Sequence, residues 1–306
     1  EISVGGGHVQ AVNAVSVSPN GKFAATAGTD QTIKVWDLAT GKEVGTLIGN
    51  ADTPYAVAFL GNDALVMGGS IPAVQTGRMH LWGTNPGRHT KSIPTGEVYN
   101  IVAAKDGTKF GAWAARPAVG DRVKNNTYEI YDSKGDLLTT ISDKGRDVRT
   151  ATFTADLGWA ISGDESGSVR IWDTTKKEPV GANWPLFANS VQDVGITSDR
   201  KLLVVADDKG AVKIASVEKR EVLGTIPEIK GGVRMLLVSP TGTTFATVGN
   251  DREIKVWSLA TDALKEPKPI RSWTFPVNVN SIAFTPDGKQ LVTANADGTA
   301  YVLELP

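Results

Sequence analysis

The side chains best suited to metal binding or general-base catalysis in this sequence are three histidines, His8, His80 and His89. None of them belongs to an HExxH motif or to another spacing of zinc ligands, and there is no cysteine to supply a thiolate. His80 lies two residues before Trp82, so on a β-strand both side chains would point to the same face. The sequence therefore predicts neither a metal site nor a cofactor.

One segment can be compared with a hydrolase nucleophile motif, because residues 163–167 read Gly-Asp-Glu-Ser-Gly. It falls where a polar turn recurs along the chain, and we interpret it as one of those turns. No Walker loop and no calcium loop of alternating aspartates occurs elsewhere. We predict that the chain is not an enzyme, although acid–base pairs assembled from distant segments would escape this reading.

Charge and hydropathy narrow the class of protein. The 306 residues carry a formal net charge of -1 with 41% hydrophobic residues, which is typical of a globular protein that buries a large core. The sequence contains no dense Lys/Arg block of the kind that binds nucleic acids or anionic membranes. We therefore expect neither as a partner. No apolar run is long enough to span a bilayer, so we expect a soluble chain, either cytoplasmic or exported after processing.

Two markers recur every forty-odd residues. The first is a turn tetrapeptide rich in Pro, Asn, Asp and Gly, found at 18–21, 60–63, 104–107, 154–157, 197–200, 239–242 and 285–288. The second is the position of Trp36, occupied in turn by Trp36, Trp82, Tyr131, Trp172, Ala215, Trp257 and Leu303. The chain thus contains seven copies of one unit.

Each copy reads as four short strands. In the first copy these are an inner strand such as 12–17, a second such as 23–27, the third with Trp36, and a fourth such as 44–48. Alternating β-branched residues favour strands, and no segment has a sustained helical period. Four strands per copy, separated by Gly/Asp turns, predict an all-β, seven-bladed β-propeller.

The copies resemble the WD40-repeat family over essentially the whole chain. The motifs that carry the resemblance are Gly7-His8, Thr26, Asp30 and Trp36-Asp37 in the first copy, with Trp172-Asp173 and Asp251 to Trp257 as partial copies. The resemblance implies that His8, Thr26, Asp30 and Trp36 form a hydrogen-bonded network that rigidifies blade 1. Turns such as 39–41, Ala-Thr-Gly, are similar to those of bacterial propellers.

We assign residues 1–306 to a single propeller. The predicted blades are approximately 9–49, 52–95, 96–143, 147–187, 188–230, 231–277 and 278–306 plus 1–5. The last copy ends after its third strand, so we expect the N-terminal segment to supply its fourth strand and to remove an exposed edge.

Two copies are longer than the others. The interval from turn to Trp position is 18 residues in five copies, but it is 22 in copy 2 and 27 in copy 3. The added residues lie within 70–77 and 115–126, between the second and third strands. The resemblance implies that these loops emerge on the top face, the face that also carries the connections between blades. They are either part of a binding surface or neutral insertions.

The resemblance also locates the residues that would contact a partner on the top face. One set lies near the start of each inner strand: Asn13, Tyr55, Tyr99, Arg149, Gln192, Arg234 and Asn280. A second set precedes the Asp of the turn: Thr29, Glu165, Asp208, Asn250 and Ala296. Tyr and Arg are enriched at binding hot spots, so the favoured site is Tyr55, Tyr99 and Arg149, flanked by Arg234. The alternative is that the tyrosines merely cover the mouth of the channel.

Two functions remain open from the sequence. The first is a non-catalytic interaction or scaffold domain, monomeric in isolation, which binds a protein, a peptide or another domain of its parent chain on the top face near blades 2–4. The second is a small-molecule site or an unrecognised enzyme in the central funnel beneath the two inserted loops.

Overall fold

The structure is a computed structural model that describes residues 2–4, 7–48, 52–70, 77–84, 87–116, 125–143 and 147–305. The described residues form 29 β-strands and no helix. The strands assemble into seven antiparallel sheets, which confirms the all-β, seven-bladed propeller class. No helix in this part of the chain is long and apolar enough to cross a membrane.

Contacts between residues divide the chain into two units. The first contains blades 1, 2, 3 and 7, and the second contains blades 4, 5 and 6. Most of the two inserted loops, at 71–76 and 117–124, lies outside the described residues.

The strands of the first unit follow the repeat closely. Blade 1 comprises β2 (Val12–Val17), β3 (Phe23–Gly28), β4 (Thr32–Asp37) and β5 (Glu43–Ile48). Blade 2 comprises β6 (Thr53–Phe59), β7 (Ala64–Ser70), β8 (Gly77–Gly83) and β9 (Arg88–Thr95). Blade 3 comprises β10 (Glu97–Ala103), β11 (Lys109–Arg116), β12 (Asn125–Asp132) and β13 (Leu137–Asp143). Blade 7 comprises β27 (Val279–Phe284), β28 (Gln290–Asn295), β29 (Ala300–Glu304) and β1 (Ile2–Val4).

The N-terminal strand completes blade 7, as the sequence predicts. β1 pairs antiparallel with β29, with Ile2 opposite Val302 and Val4 opposite Ala300. The last strand of the chain therefore has a backbone partner on both sides, β28 and β1. This arrangement removes an open sheet edge at the point where the two chain termini meet.

The second unit has one irregular blade. Blade 4 comprises β14 (Val148–Phe153), β15 (Trp159–Asp164), β16 (Ser168–Asp173), β17 (Glu178–Pro179) and β18 (Trp184–Pro185). Blade 5 comprises β19 (Val191–Ile196), β20 (Leu202–Asp207), β21 (Val212–Ser216) and β22 (Glu221–Ile226). Blade 6 comprises β23 (Met235–Val238), β24 (Thr244–Val248), β25 (Glu253–Ser258) and β26 (Pro269–Thr274).

The fourth strand of blade 4 is split into two short pieces, β17 and β18, which both pair with β16. Each piece contains a proline, which has no N–H for a sheet ladder. Between the two pieces, Arg220 of blade 5 supplies hydrogen bonds in place of a strand partner. Its guanidinium donates to the carbonyls of Val180 (3.1 Å) and Ala182 (2.6 Å). The plain four-strand pattern expected from the repeat is thus interrupted here.

The core consists of apolar layers between neighbouring blades. In the first unit, Ile33 of blade 1 packs in one cluster with Leu65 of blade 2, and Leu81 of blade 2 packs in another with Phe110 of blade 3. In the second unit, Ile214 of blade 5 packs with Phe245, Leu236 and other residues of blade 6. Strand alternation explains these layers, because the two faces of a blade both lie against other apolar surfaces.

Candidate functional site

Six of the seven residues expected to contact a partner occupy one special backbone position. In six inner strands the pairing register shifts by one residue, which leaves a single bulged residue without a Cα partner: Asn13, Tyr55, Tyr99, Arg149, Gln192 and Asn280. In blade 6, Arg234 directly precedes β23 and donates its backbone N–H to the Val248 carbonyl (2.8 Å). A bulge re-aims a side chain without breaking the strand around it.

The bulged tyrosines of blades 2 and 3 stack on each other. The rings of Tyr55 and Tyr99 are nearly parallel, at 3°, with centroids 5.8 Å apart. Trp113 extends the stack, with its ring centroid 5.0 Å from that of Tyr99. Tyr55 is 38% exposed, whereas Trp113 is buried. We call these three residues the aromatic platform, since together they present one accessible ring on a rigid base.

Hydrogen bonds fix the lower part of the aromatic platform. The Tyr99 hydroxyl donates to Glu97 Oε2 (2.7 Å), and Ser70 Oγ donates to the other oxygen of that carboxylate (2.9 Å). The buried indole N–H of Trp113 donates to Asn126 Oδ1 (3.1 Å). The platform is therefore held in place before any partner binds, which reduces the entropy lost on binding.

The amide side chains at the bulges connect neighbouring blades. Asn13 Nδ2 donates to the Pro54 carbonyl (3.2 Å), and Asn280 Nδ2 donates to the Val12 carbonyl (2.9 Å). Gln192 Nε2 lies 3.4 Å from the Arg234 carbonyl. Each acceptor belongs to the inner strand, or its entry, in the next blade. These three amides thus have an internal structural task at the positions where the sequence suggests partner contacts.

The two arginines at this position differ in their surroundings. Arg149 forms an ion pair with Glu165, at 3.3 Å, and both side chains are about half exposed (48% and 53%). Arg234 is partly buried, and this burial lowers its pKa. Its guanidinium has no hydrogen-bond or ion-pair partner within the described residues. An unpaired, partly buried cation is costly, so Arg234 is suited to receive an anionic group.

The second set of expected contact residues lies beside the entry to each inner strand. Four of its members donate a backbone N–H to a residue that precedes the inner strand of the same blade: Thr29 to Ala11, Glu165 to Asp147, Asp208 to Ser190 and Asn250 to Gly231. Within each of these blades the two sets therefore lie near each other. Among the described residues, the backbone N–H of Ala296 makes no such hydrogen bond.

The four residues of the blade 1 network are joined by hydrogen bonds. His8 contacts Thr26 Oγ1 through Nε2 (2.8 Å) and Asp30 Oδ2 through Nδ1 (2.9 Å), and Trp36 Nε1 donates to Thr26 Oγ1 (2.8 Å). Burial alone would raise the pKa of Asp30, but hydrogen bonds from His8 and Thr32 outweigh it, so the pKa is lowered. These side chains are occupied with one another and brace the blade.

The network is reduced in the other blades that retain the tryptophan. In blade 6, Trp257 Nε1 donates to Thr247 Oγ1 (3.0 Å). In blade 2, Met67 replaces the threonine, and the buried Nε1 of Trp82 has no partner in the part of the chain that the structure describes. Apolar packing must therefore supply more of the stability of blade 2.

No sequence pattern indicates the carboxylate that joins blades 4, 5 and 6. Asp193, beside the bulged Gln192, accepts hydrogen bonds from the Thr150 hydroxyl (2.8 Å), from Val194 N–H (2.9 Å) and from Leu236 N–H (2.8 Å). Burial raises the pKa of Asp193 from 3.8 to about 6, against the opposing effect of these hydrogen bonds. Only the spatial arrangement of the three strands places this aspartate among its donors.

We expect the stability of the second unit to depend on pH through Asp193. Because its folded pKa of about 6 exceeds the ordinary aspartate value of 3.8, the folded chain binds the proton more tightly than the unfolded chain does. This stabilisation is fully present below about pH 4 and is lost as pH rises through about 6, by up to about 3 kcal/mol. The free energy of unfolding of wild type minus that of Asp193→Asn, measured by denaturant titration at several pH values, should fall across this window. A constant difference would contradict the assignment.

The described residues give no support for catalysis. They contain no group of three or more His, Cys, Asp or Glu side chains in position to hold a metal ion. Residues 163–167 comprise the end of β15 and the turn before β16, and the Ser166 hydroxyl donates to Asp164 Oδ1 within this segment. A cavity of about 270 Å³ lies against blade 4, lined by Trp159, Asp173, Lys176, Glu178, Pro179 and Val180, and includes none of the bulged residues.

Comparison with known proteins identifies the repeat. The family model described as "WD domain, G-beta repeat" matches four segments, 2–37, 135–173, 220–258 and 267–303. Protein tipD of Dictyostelium discoideum is 25% identical over 267 residues, which cover 82% of this chain and 40% of that protein. WD repeat-containing protein 1-A of Xenopus laevis is 30% identical over 155 residues, 48% of this chain and 24% of that protein.

A third relative aligns over a greater length. Protein ROOT INITIATION DEFECTIVE 3 of Arabidopsis thaliana is 21% identical over 294 residues, which cover 91% of this chain and 65% of that protein. The chain therefore spans less than two thirds of the length of each of these relatives.

Proposed function

We propose that this chain, which belongs to the WD40-repeat family, is a non-catalytic interaction domain that binds a protein or peptide partner on its top face. Propellers of this family generally act as scaffolds, and the finer proposal concerns the place of binding. We centre the site on Tyr55 and Tyr99 of blades 2 and 3. We further propose that residues 1–306 form a single propeller domain.

The observation that carries this proposal is the aromatic platform. Two tyrosines at bulged positions of adjacent blades stack at 5.8 Å, and the outer ring remains 38% exposed. Tyrosine gives a large contact area with little loss of side-chain entropy, which is why it is common at hot spots. A stack that served only to fill space would not need an exposed ring supported by Glu97 and Trp113.

The other residues of the first set are secondary in this proposal. The amides of Asn13, Gln192 and Asn280 already bridge blades, so we expect their replacement to affect stability as well as binding. Arg234 is the best candidate for an anionic group of a partner, because its guanidinium has no partner within the described residues. No observation on those residues favours a small-molecule or catalytic site beneath the inserted loops.

We expect loss of the aromatic platform to weaken partner binding by about 2 kcal/mol or more, equivalent to about 30-fold in affinity. The test compares wild type, Tyr55→Ala and Tyr55→Ala/Tyr99→Ala for capture of proteins from host-cell extract. Each captured protein is then purified, and its affinity is measured by calorimetry.

The matched control is Leu138→Ala, which truncates an exposed side chain on the outer strand of blade 3. Thermal unfolding establishes that every variant is folded. If the folded double variant binds every partner of wild type with unchanged affinity, the proposed site is wrong.

A further inference from the structure

Two histidines and a serine meet on blade 2, in a cluster that has no role in the proposed interaction site. His80 lies on β8 and is 5% exposed, whereas His89 and Ser92 lie at the exposed surface of β9. Ser92 is directly opposite His80 in the strand pair. The register shifts between Leu81 and Trp82, so His89 is opposite Trp82, on the same side as Ser92. We call His80, His89 and Ser92 the blade 2 histidine cluster.

The polar atoms of this cluster form a small triangle. His80 Nδ1 is 3.3 Å from His89 Nε2, and Ser92 Oγ is 3.0 Å from the first nitrogen and 3.1 Å from the second. Two atoms bound to one tetrahedral zinc ion at about 2.0–2.1 Å stand about 3.3–3.4 Å apart. The separation of the two nitrogens is thus that of neighbouring zinc ligands, with the hydroxyl slightly closer.

Asp52 determines which nitrogen of His80 faces the triangle. Its Oδ2 lies 3.1 Å from His80 Nε2, the nitrogen on the far side of the ring. With Nε2–H donated to this carboxylate, Nδ1 of a neutral His80 carries a lone pair and no hydrogen. Metal-ligating histidines characteristically donate their other ring N–H to a carboxylate in this way.

The same carboxylate supplies a second, independent indication of a cation. Asp52 is fully buried, and its Oδ1 has no hydrogen-bond partner within the described residues. An unsatisfied buried carboxylate oxygen requires an explanation, and a positive charge bound to His80 would lower its cost. The described residues contain no third His, Cys, Asp or Glu ligand, so the hydroxyl and solvent would complete the coordination.

His89 is also suited to bind a metal ion. Its ring packs edge-on against Trp82, with centroids 4.8 Å apart, and makes a hydrogen bond with the backbone of Lys91. These contacts hold the ring of His89 in a fixed orientation beside His80, whose ring centroid is 5.5 Å away.

The equivalent positions of blade 1 carry side chains that form hydrogen bonds and an ion pair with one another. Lys34 and Thr46 occupy the paired positions of His80 and Ser92, and Glu43 occupies that of His89. There Lys34 forms an ion pair with Glu43 at 2.8 Å and donates to the Thr46 hydroxyl, so the three side chains satisfy one another. In blade 2, two imidazoles replace the lysine and the glutamate of this ion pair, and an imidazole nitrogen without hydrogen can bind a metal ion.

We propose that the blade 2 histidine cluster binds a divalent transition-metal ion, with Zn²⁺ favoured by the tetrahedral spacing. His80 Nδ1, His89 Nε2 and the Ser92 hydroxyl are the protein ligands, water is the fourth, and Asp52 orients His80. Imidazole ligands favour Zn²⁺, Cu²⁺ and Ni²⁺ over Mg²⁺ and Ca²⁺. Such an ion would join β8 to β9 at the surface of the blade.

The experiment uses untagged, chelator-treated protein titrated with ZnCl₂ in a calorimeter, and with MgCl₂ as the negative control. The chain has three histidines and no cysteine, and His8 is buried in its own network, so few other sites compete. We expect one Zn²⁺ per chain for wild type. His89→Ala, at an exposed position, should weaken binding at least about tenfold, whereas the adjacent Arg88→Ala should not change it.

Two further measurements separate ligation from general stabilisation. Asp52→Asn should weaken Zn²⁺ binding by about tenfold, since it removes the charge that orients His80. Co²⁺ bound to wild type should give the strong visible absorption of tetrahedral coordination, and His89→Ala should lose it. Failure of wild type to bind Zn²⁺, or equal affinity in folded His89→Ala, would overturn the proposal.

Discussion

Asp193→Ala should lower the free energy of unfolding by about 3–5 kcal/mol, because it deprives three donors of their acceptor at once. Two of the donors, the N–H groups of Val194 and Leu236, belong to buried residues of blades 5 and 6. The third, the Thr150 hydroxyl of blade 4, can rotate toward another acceptor. The two backbone groups cannot, so most of the cost lies with them.

Denaturant unfolding at pH 5, below the pKa of Asp193, measures this effect. The matched control is Asp199→Ala, which removes an exposed turn aspartate from the same blade. We expect the control to change stability by no more than about 1 kcal/mol. An Asp193→Ala protein as stable as the control would mean that the three-blade connection contributes little.

Deletion of residues 1–5 should lower the free energy of unfolding by about 2–4 kcal/mol, since it removes the ladder hydrogen bonds between β1 and β29 and leaves an open edge. The loss falls on blade 7, whose β29 also pairs with β28 and so carries the apolar layer shared with blade 1. Differential scanning calorimetry should give a lower melting temperature for the truncated chain. Its circular dichroism spectrum at about 20 °C should still be that of a β-sheet protein.

A substitution in β1 separates the effect of lost pairing between β1 and β29 from the effect of shortening the chain. Ser3→Pro removes one donor from the strand opposite Tyr301, whereas Ser3→Ala does not. A synthetic peptide of residues 1–7 added to the truncated chain should restore part of the melting temperature by mass action. If deletion leaves the melting curve unchanged, β1 does not stabilise the propeller.

The repeat made most of the fold predictable. A turn and an aromatic position recur at a constant interval, and these two markers depend on local backbone chemistry. The N-terminal strand followed from counting, because the last copy has three strands and needs a fourth. The split strand of blade 4 did not follow, since its stability depends on Arg220 from the neighbouring blade.

The candidate sites were less predictable because they depend on register. Tyr55 and Tyr99 could be named from position, but their parallel stacking on Trp113 arises from packing between two blades. His89 meets Ser92 and His80 only because the register shifts by one residue next to Trp82. In the sequence, Asp193 is one polar residue of an inner strand among others. Its donors, Thr150 of blade 4 and Leu236 of blade 6, are distant in sequence and become neighbours only in the fold.

The bulges at the start of the inner strands also bear on how such a protein can diversify. A bulged residue has no Cα partner in its ladder, so its side chain can change while the surrounding pairs remain intact. Asn, Tyr, Arg and Gln all occur at these positions in this one chain. At the proposed site, a combinatorial library confined to Tyr55 and Tyr99 should therefore vary recognition while leaving the pairing of the strands unchanged.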